Sequence, residues 1–273
     1  MDDYIFGGEN LFYKHEISDN ISPDTYSMHI HGAYELFYFL DGNATHVIED
    51  RKYKLKKHDL ILIRPFQYHF IQINAPSRYE RYDILFDSEK HGIDSVNLIP
   101  DSVDIINIEN NATAMDIFRR CDLYHKSCSS DMFLKILSNM LSELFYNLHI
   151  FPDSHQEDSS YISPIISRAL QYINENLCSL NDIGEIAEHL FISESYLFRL
   201  FKKELHQSPK QYICEKRLLK SQKLLSEGKK PTYVAEKCGF CDYTTFYRNY
   251  TARFRQSPSH VQAQTHPEAR LSK

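Results

Sequence analysis

Near the start of the chain four side chains have the types and spacing of a binding site. His29, His31 and Glu35 fall in the stretch HIHGAYE, and His69 follows a few strand-lengths later. Imidazoles and one carboxylate brought together from facing strands suit a divalent transition metal. The same groups can hydrogen-bond a small organic ligand. Aromatics crowd the same region: Phe37, Tyr38, Phe39, Tyr68, Phe70, Tyr79 and Tyr82. Tyrosines beside a carboxylate could bind a sugar by stacking and hydrogen bonds, although most aromatics in such runs are core. His29, His31, Glu35, Tyr38 and His69 are therefore the candidate effector-binding residues. Cys238-Gly-Phe-Cys241 spells C-x-x-C, but it has no second pair and no thioredoxin-like context. Cys238 falls at an apolar helix position, so packing is the expected role.

The elements that must position these residues change character along the chain. Residues 29–87 read as β: LFYFL (36–40), THVIE (45–49), DLILI (59–63), HFIQIN (69–74) and YERYDILF (79–86) are separated by polar turns such as Asp41-Gly42-Asn43. Short β-branched and aromatic runs at such spacing predict a small sandwich or barrel. Alternation puts Glu35, Phe37 and Phe39 on one face of their strand and Leu36, Tyr38 and Leu40 on the other. Residues 113–149 switch to a helical period. Met132, Phe133, Ile136, Leu137, Met140, Leu141, Leu144, Phe145 and Leu148 form one apolar stripe. That stripe must pack on the β domain or on a second subunit. A polar stretch at 152–160 reads as a linker. Beyond it the chain reads helical, with room for seven short helices.

Charge divides at the same place. Residues 1–159 carry 14 Lys+Arg against 26 Asp+Glu, a net of −12, and residues 160–273 carry 17 against 11, a net of +6. An acidic half joined to a basic half suggests two jobs, with a polyanion as partner of the second. No apolar run approaches the ~20 residues of a membrane span. The opening MDDYIFGGEN has no basic region of a secretory signal, so a cytoplasmic protein with reduced thiols is expected.

The basic half contains a degenerate repeat, EIAEHLFISESYLFRLFKKELHQSP (185–209) and YVAEKCGFCDYTTFYRNYTARFRQSP (233–258). Ala187 matches Ala235 at an offset of 48, whereas Arg199 matches Arg248 and Pro209 matches Pro258 at 49. One inserted residue is assigned to the turn, Gly239-Phe240 against Phe191. Each copy has the logic of a helix-turn-helix: a small Ala for close crossing, then a turn, then a second helix. Ser193 is placed to cap that helix, and Cys241 is assigned the equivalent place. Leu197, Phe201, Phe246 and Tyr250 should face the core. Ser195, Tyr196 and Arg199, with Tyr243, Thr244 and Arg248, should face successive major grooves.

On these residues the last hundred or so positions resemble the DNA-binding domain of AraC/XylS-type transcription regulators. Arg217 to Leu225 corresponds to the linking helix of that family. Thr251 stands where a Lys is usual, and Val261-Gln262 where an aromatic-basic pair is common. HIHGAYELFYFLDG (29–42) and KLKKHDLILIRPFQYHFIQIN (54–74) look like the halves of that family's cupin-like sensor. The resemblance implies an α+β chain: a cupin-like β barrel with effector-binding and dimerisation helices (1–151), a linker (152–160) and an all-α DNA-binding domain of two helix-turn-helix units (161–265). It implies a sequence-specific regulator answering to a small molecule, a carbohydrate by family habit. Double-stranded DNA, a second copy of the chain and RNA polymerase are its expected partners, and neither a cofactor nor an enzyme activity is expected. The alternative is a metal-dependent cupin enzyme with a fused helical domain. His29-x-His31-x3-Glu35-x6-Gly42 is similar to the first metal motif of metallocupins, but their second motif has Pro-x-Gly-x-x-His. Here Pro65 lies four residues before His69 with no glycine between. An effector pocket without metal is therefore the expectation.

Overall fold

The computed structural model describes residues 6–8, 11–19, 21, 29–151 and 159–260. The chain divides into two compact units between Ser160 and Tyr161. Most of the expected linker (152–158), the end of the expected DNA-binding domain (261–265) and the pair Val261-Gln262 lie outside the described residues.

In the first unit come strands β1 (Phe6–Gly8), β2 (Leu11–Ser18), β3 (Tyr34–Asp41), β4 (Ala44–Ile48), β5 (Arg51–Lys54), β6 (Asp59–Ile63), β7 (His69–Ile73) and β8 (Tyr79–Phe86). A short helix α1 (Ser88–His91), a 3-10 turn, β9 (Ile105–Asn107), α2 (Ala112–Ser127) and α3 (Ser130–Ile150) follow. One antiparallel sheet runs β1–β2–β8–β3–β6–β9, and a second contains β5, β4 and β7. Among the described residues these remain two sheets rather than one closed barrel. An isolated bridge from His29 to His69 brings the 29–33 segment against β7.

The alternation read from β3 holds. Phe37 and Phe39 are buried with Ile61, Ile63, Ile71, Ile73 and Tyr79 from both sheets. Leu36 and Tyr38 are buried on the opposite face, against α2 and α3. That second cluster absorbs most of the α3 stripe: Phe133, Leu137, Met140, Leu141, Leu144, Phe145 and Leu148 all pack inward. A fully buried Leu or Phe contributes ~1.5–3 kcal/mol, so the stripe holds the unit together. It is not the subunit contact that periodicity left open. What the two helices expose instead is Leu123, Met132, Tyr146 and Ile150, with Phe151 just beyond α3.

A polar knot ties α2 to the sheet. The Asp122 carboxylate accepts O–H bonds from Tyr13 and Tyr82, both 2.6 Å, and lies 3.0 Å from His15 Nδ1. The His15 ring stacks on Tyr82 with centroids 3.9 Å apart. Burial opposes the charge on His15, but Asp122 and Glu80 outweigh it and raise the ring's pKa.

β10 (Ser159–Tyr161) spans the boundary between the units. The second unit holds α4 (Pro164–Asn176), α5 (Ile183–His189), α6 (Glu194–Leu205), α7 (Pro209–Ser226), α8 (Pro231–Lys237) and α9 (Tyr243–Phe254). Six helices thus stand where seven were expected, and residues 258–260 begin a further helical turn at the edge of the described residues. Their starts follow capping chemistry. Ser163, Asp182, Ser193, Ser208 and Asp242 each accept a backbone N–H of the first turn, and Ser208 with Gln211 completes a capping box. The linking helix is α7, longer at its N-terminal end than Arg217–Leu225. Arg217 donates to the carbonyls of Leu177 and Leu180, so it ties the end of α4 to α7. Among the described residues no helix is long and apolar enough to cross a membrane.

Candidate functional site: two helix-turn-helix surfaces and a histidine cluster

The pairs α5–α6 and α8–α9 are built alike up to the last turn residue. Ala187 and Ala235 are both buried, leaving room for the second helix to cross. Each Ala carbonyl accepts from the residue five positions on: Ile192 N–H to Ala187 and Phe240 N–H to Ala235, both 3.0 Å. Phe191 and Gly239 hold the same left-handed place, with φ of 57° and 82°. The offset is therefore still 48 at Ile192 and Phe240 and becomes 49 at the caps, Ser193 and Asp242. The inserted residue is Cys241, not one of Gly239-Phe240. Cys241 is also not the cap: Asp242 accepts from Thr245 N–H at 2.6 Å, and Cys241 Sγ donates to Asp242 Oδ2 at 3.3 Å. Cys238 is buried among Leu218, Val234, Phe246 and Tyr250, the packing role expected.

The second helix of each pair buries the predicted residues, Leu197 and Phe201 on α6, Phe246 and Tyr250 on α9. Ser195, Tyr196 and Arg199 are exposed on α6, and Tyr243, Thr244 and Arg248 on α9. The cap-to-cap offset pairs Ser195 with Thr244, Tyr196 with Thr245, and Arg199 with Arg248. Tyr243 instead matches Glu194 at the first helical position, where it leans on Tyr247. The exposed face is wider than the sequence reading had it, because Phe198 and Tyr247 are also exposed. Their i+3 and i+4 spacing from the named residues was the available signal. On α6, Arg199 lies 5.6 Å over the Tyr196 ring and Lys202 lies 6.0 Å over Phe198, an array of cations on aromatic shelves. On α9 the place of Lys202 is taken by Thr251, whose hydroxyl donates back to the Tyr247 carbonyl. Arg253 is spent on Glu215 at 2.8 Å.

In the first unit the structure brings four of the five candidate effector residues together. Nε2 of His31 and Nε2 of His69 each lie 2.9 Å from a single oxygen, Glu35 Oε2, and His29 Nε2 lies 3.8 Å from it. All four ligand atoms are within 4.8 Å of one another. Glu35 and His69 are buried, His31 is partly covered and the His29 side chain is half exposed. Missing glycine notwithstanding, His69 is in place, because Phe66 itself takes φ of 69° and its N–H donates to the His31 carbonyl.

Burial raises the Glu35 carboxyl, but hydrogen bonds from His29, His31 and His69 hold it well below the usual carboxylate range. Desolvation lowers His69 and pushes His46, beside it, down to about 3. Asp83 is pushed up to about 7 by burial and by Glu35. Tyr38 does not join the group. It lies on the other face of β3, its hydroxyl 2.7 Å from His58 Nδ1 and its ring stacked 4.3 Å from Phe118. Strand alternation separates it from Glu35 and fixes it as core.

Comparison with known proteins gives the same two-part division. A family model described as an AraC-like ligand binding domain matches residues 17–91, and one described as a helix-turn-helix domain matches residues 186–264. The chain is similar to the Msm operon regulatory protein of Streptococcus mutans, 31% identical over 127 residues that cover 46% of this chain and 43% of that protein. It is similar to the lactose operon transcription activator of Staphylococcus xylosus, 29% identical over 126 residues and 45% of each. Among solved structures, the C-terminal domain of AraT, a response regulator from Geobacillus stearothermophilus, is 30% identical and covers 38% of this chain and 88% of that one, with a TM-score of 0.36. The chain spans less than half the length of the curated relatives it matches.

Proposed function

We propose, for a chain that belongs to the AraC/XylS-type transcription regulators by both of its matched domains, that it reads double-stranded DNA through α6 and α9 and answers to a small molecule bound by the first unit. The observation that carries this is the repeated outward Arg, Arg199 and Arg248, each on a helix whose opposite face is buried in a helix-turn-helix core. A guanidinium so placed can take the paired acceptors of guanine in the major groove. Ser195, Tyr196, Tyr243 and Thr244 supply flanking base or phosphate contacts, and the net +6 of this half supplies the general attraction to phosphate.

His29, His31, Glu35 and His69 hold the effector's polar groups. The likeness to a lactose operon activator makes a carbohydrate the favoured class. The sensor unit is read as a binding module rather than an enzyme, since its relatives are named as regulators. A homodimer joined through the exposed apolar residues of α2 and α3, contact with RNA polymerase at the promoter and a cytoplasmic location complete the reading. The test is selection of DNA sites from a random pool by the full-length protein, followed by affinity measured over a range of salt. Enrichment of one motif, with affinity falling steeply as salt rises, supports it. No enriched motif, or binding insensitive to salt, refutes it.

A further inference from the structure

We infer that Phe198 on α6 and Tyr247 on α9 read the 5-methyl groups of thymines that stand beside the guanines met by Arg199 and Arg248. This rests on the DNA-reading role proposed above and adds a base to it. Two aromatic rings are left in water: Phe198 is 46% exposed and Tyr247 43%. A single exposed aromatic is ordinary on a protein surface. These two hold one place in the repeat. Each is the fifth residue after its cap, Ser193 or Asp242, and each immediately precedes the outward Arg. At ~100° per residue, Ser195, Phe198, Arg199 and Lys202 fall on one strip of α6, turned away from buried Leu197, Leu200 and Phe201. Thr244, Tyr247, Arg248 and Thr251 repeat that strip on α9, away from buried Phe246 and Tyr250.

The chemistry of the ring selects the group it meets. Phe198 carries no donor or acceptor, so it cannot hydrogen-bond a base edge or a phosphate. The methyl group of the major groove is the 5-methyl of thymine, and the other base edges present N–H groups, N7, O4 or O6. Arg199 can take N7 and O6 of guanine, so the ring next to it meets the bases that adjoin that guanine. The rings are also braced. Lys202 Nζ lies 6.0 Å from the Phe198 centroid, and the Tyr243 ring lies 6.1 Å from that of Tyr247. A braced ring has less freedom to lose on meeting DNA. Tyr247 adds a hydroxyl that can donate to thymine O4 in the same contact. Exposed Arg199, Lys202 and Lys203 make the α6 face cationic, so it suits DNA and opposes a second copy of itself.

The test uses full-length protein and the duplex it selects from a random pool. Each thymine of that duplex is replaced singly by uracil, which removes the methyl and keeps the base pair. The thymines expected to matter adjoin the guanines that Arg199→Ala and Arg248→Ala no longer discriminate. Uracil there should weaken wild-type binding ~4-fold, the worth of one buried methyl, and uracil elsewhere should leave it unchanged. Phe198→Ala should bind the thymine and uracil duplexes of the first unit's positions equally and keep its affinity for random DNA. Phe198→Leu should retain part of the discrimination. Tyr247→Ala should behave as Phe198→Ala does, at the second unit's positions. Both side chains are well exposed, so trimming them should spare the fold, which circular dichroism checks. Uracil tolerated at every position overturns the inference and leaves the regulator reading intact. Discrimination that survives in a folded variant, or a loss that is equal on random DNA, overturns that residue's part in it. No enriched duplex at all overturns the regulator reading and this inference with it.

Discussion

The two helix-turn-helix units share one backbone plan and differ in what they spend on it. In the first, the left-handed turn position is filled by Phe191, 92% exposed. In the second it is Gly239, where an added Cβ would stand 2.5 Å from the Cys178 carbonyl oxygen. The first unit caps its outward helix with a neutral Ser, the second with an Asp. The first presents Arg199 and Lys202 on aromatic shelves, whereas the second presents Arg248, folds Thr251 onto its own helix and commits Arg253 to Glu215. The turn of the second unit is thus locked by tight packing, while the face of the first is better supplied for a polyanion. A shared fold fixes where the outward face lies. Its side chains decide how much each unit contributes.

Six substitutions, taken in four steps, would sharpen or break this contrast. The largest effect is expected at the locked turn. Gly239→Ala meets both a left-handed backbone and a carbonyl it cannot displace, so it should cost ~3 kcal/mol or more. Thermal melting of the full chain checks this, and a loss under 1 kcal/mol would show that the turn relaxes. Next, Arg199→Ala should remove ~1–3 kcal/mol of sequence-specific DNA affinity, and Arg248→Ala less. Caps come third. Ser193→Ala should cost ~1 kcal/mol of stability. Asp242→Ala should cost more, because that carboxylate also accepts the Thr245 hydroxyl at 2.8 Å. Bonds from Thr245 and Cys241 hold Asp242 below the usual carboxylate range. Its contribution is present above pH ~4 and lost as pH falls through the lowered folded-state value. Acid titration should therefore loosen α9 before α6, and simultaneous melting by amide exchange would contradict this. The smallest effect is Phe191→Gly, expected to stabilise by ~0.5 kcal/mol through relief of the left-handed strain, against which Gly239→Ala is the mirror experiment.

Much of this was legible from short-range rules. Ser193 as a cap, Leu197 and Phe201 inward, and Arg199 and Arg248 outward all follow from spacing within one helix. The insertion lies at Cys241 and not at Gly239-Phe240, a difference the sequence does not carry because a shift from 48 to 49 can fall anywhere in a turn. Only the backbone bonds of Ile192 and Phe240 locate it at Cys241. Periodicity showed that α3 buries a face but not against what; the partner is the outer face of the first sheet, where Tyr13 meets Phe133 across 120 positions of chain. Tyr38 was grouped with Glu35 by chemistry although alternation had already separated them. His69 looked displaced because a glycine was missing, and Phe66 supplies the positive φ instead. The Asp122 knot leaves no local pattern in the sequence, because Tyr13, His15, Tyr82 and Asp122 are joined only by tertiary contact.

The central claim is that these units read bases, the first more strongly than the second. It is tested most directly by measuring full-length wild type, Arg199→Ala and Arg248→Ala on a selected site and on random DNA at one salt concentration. The account predicts that each variant loses affinity for the selected site while keeping most of its affinity for random DNA, with the greater loss in Arg199→Ala. Equal losses on both DNAs would reduce the two arginines to phosphate contacts and contradict it.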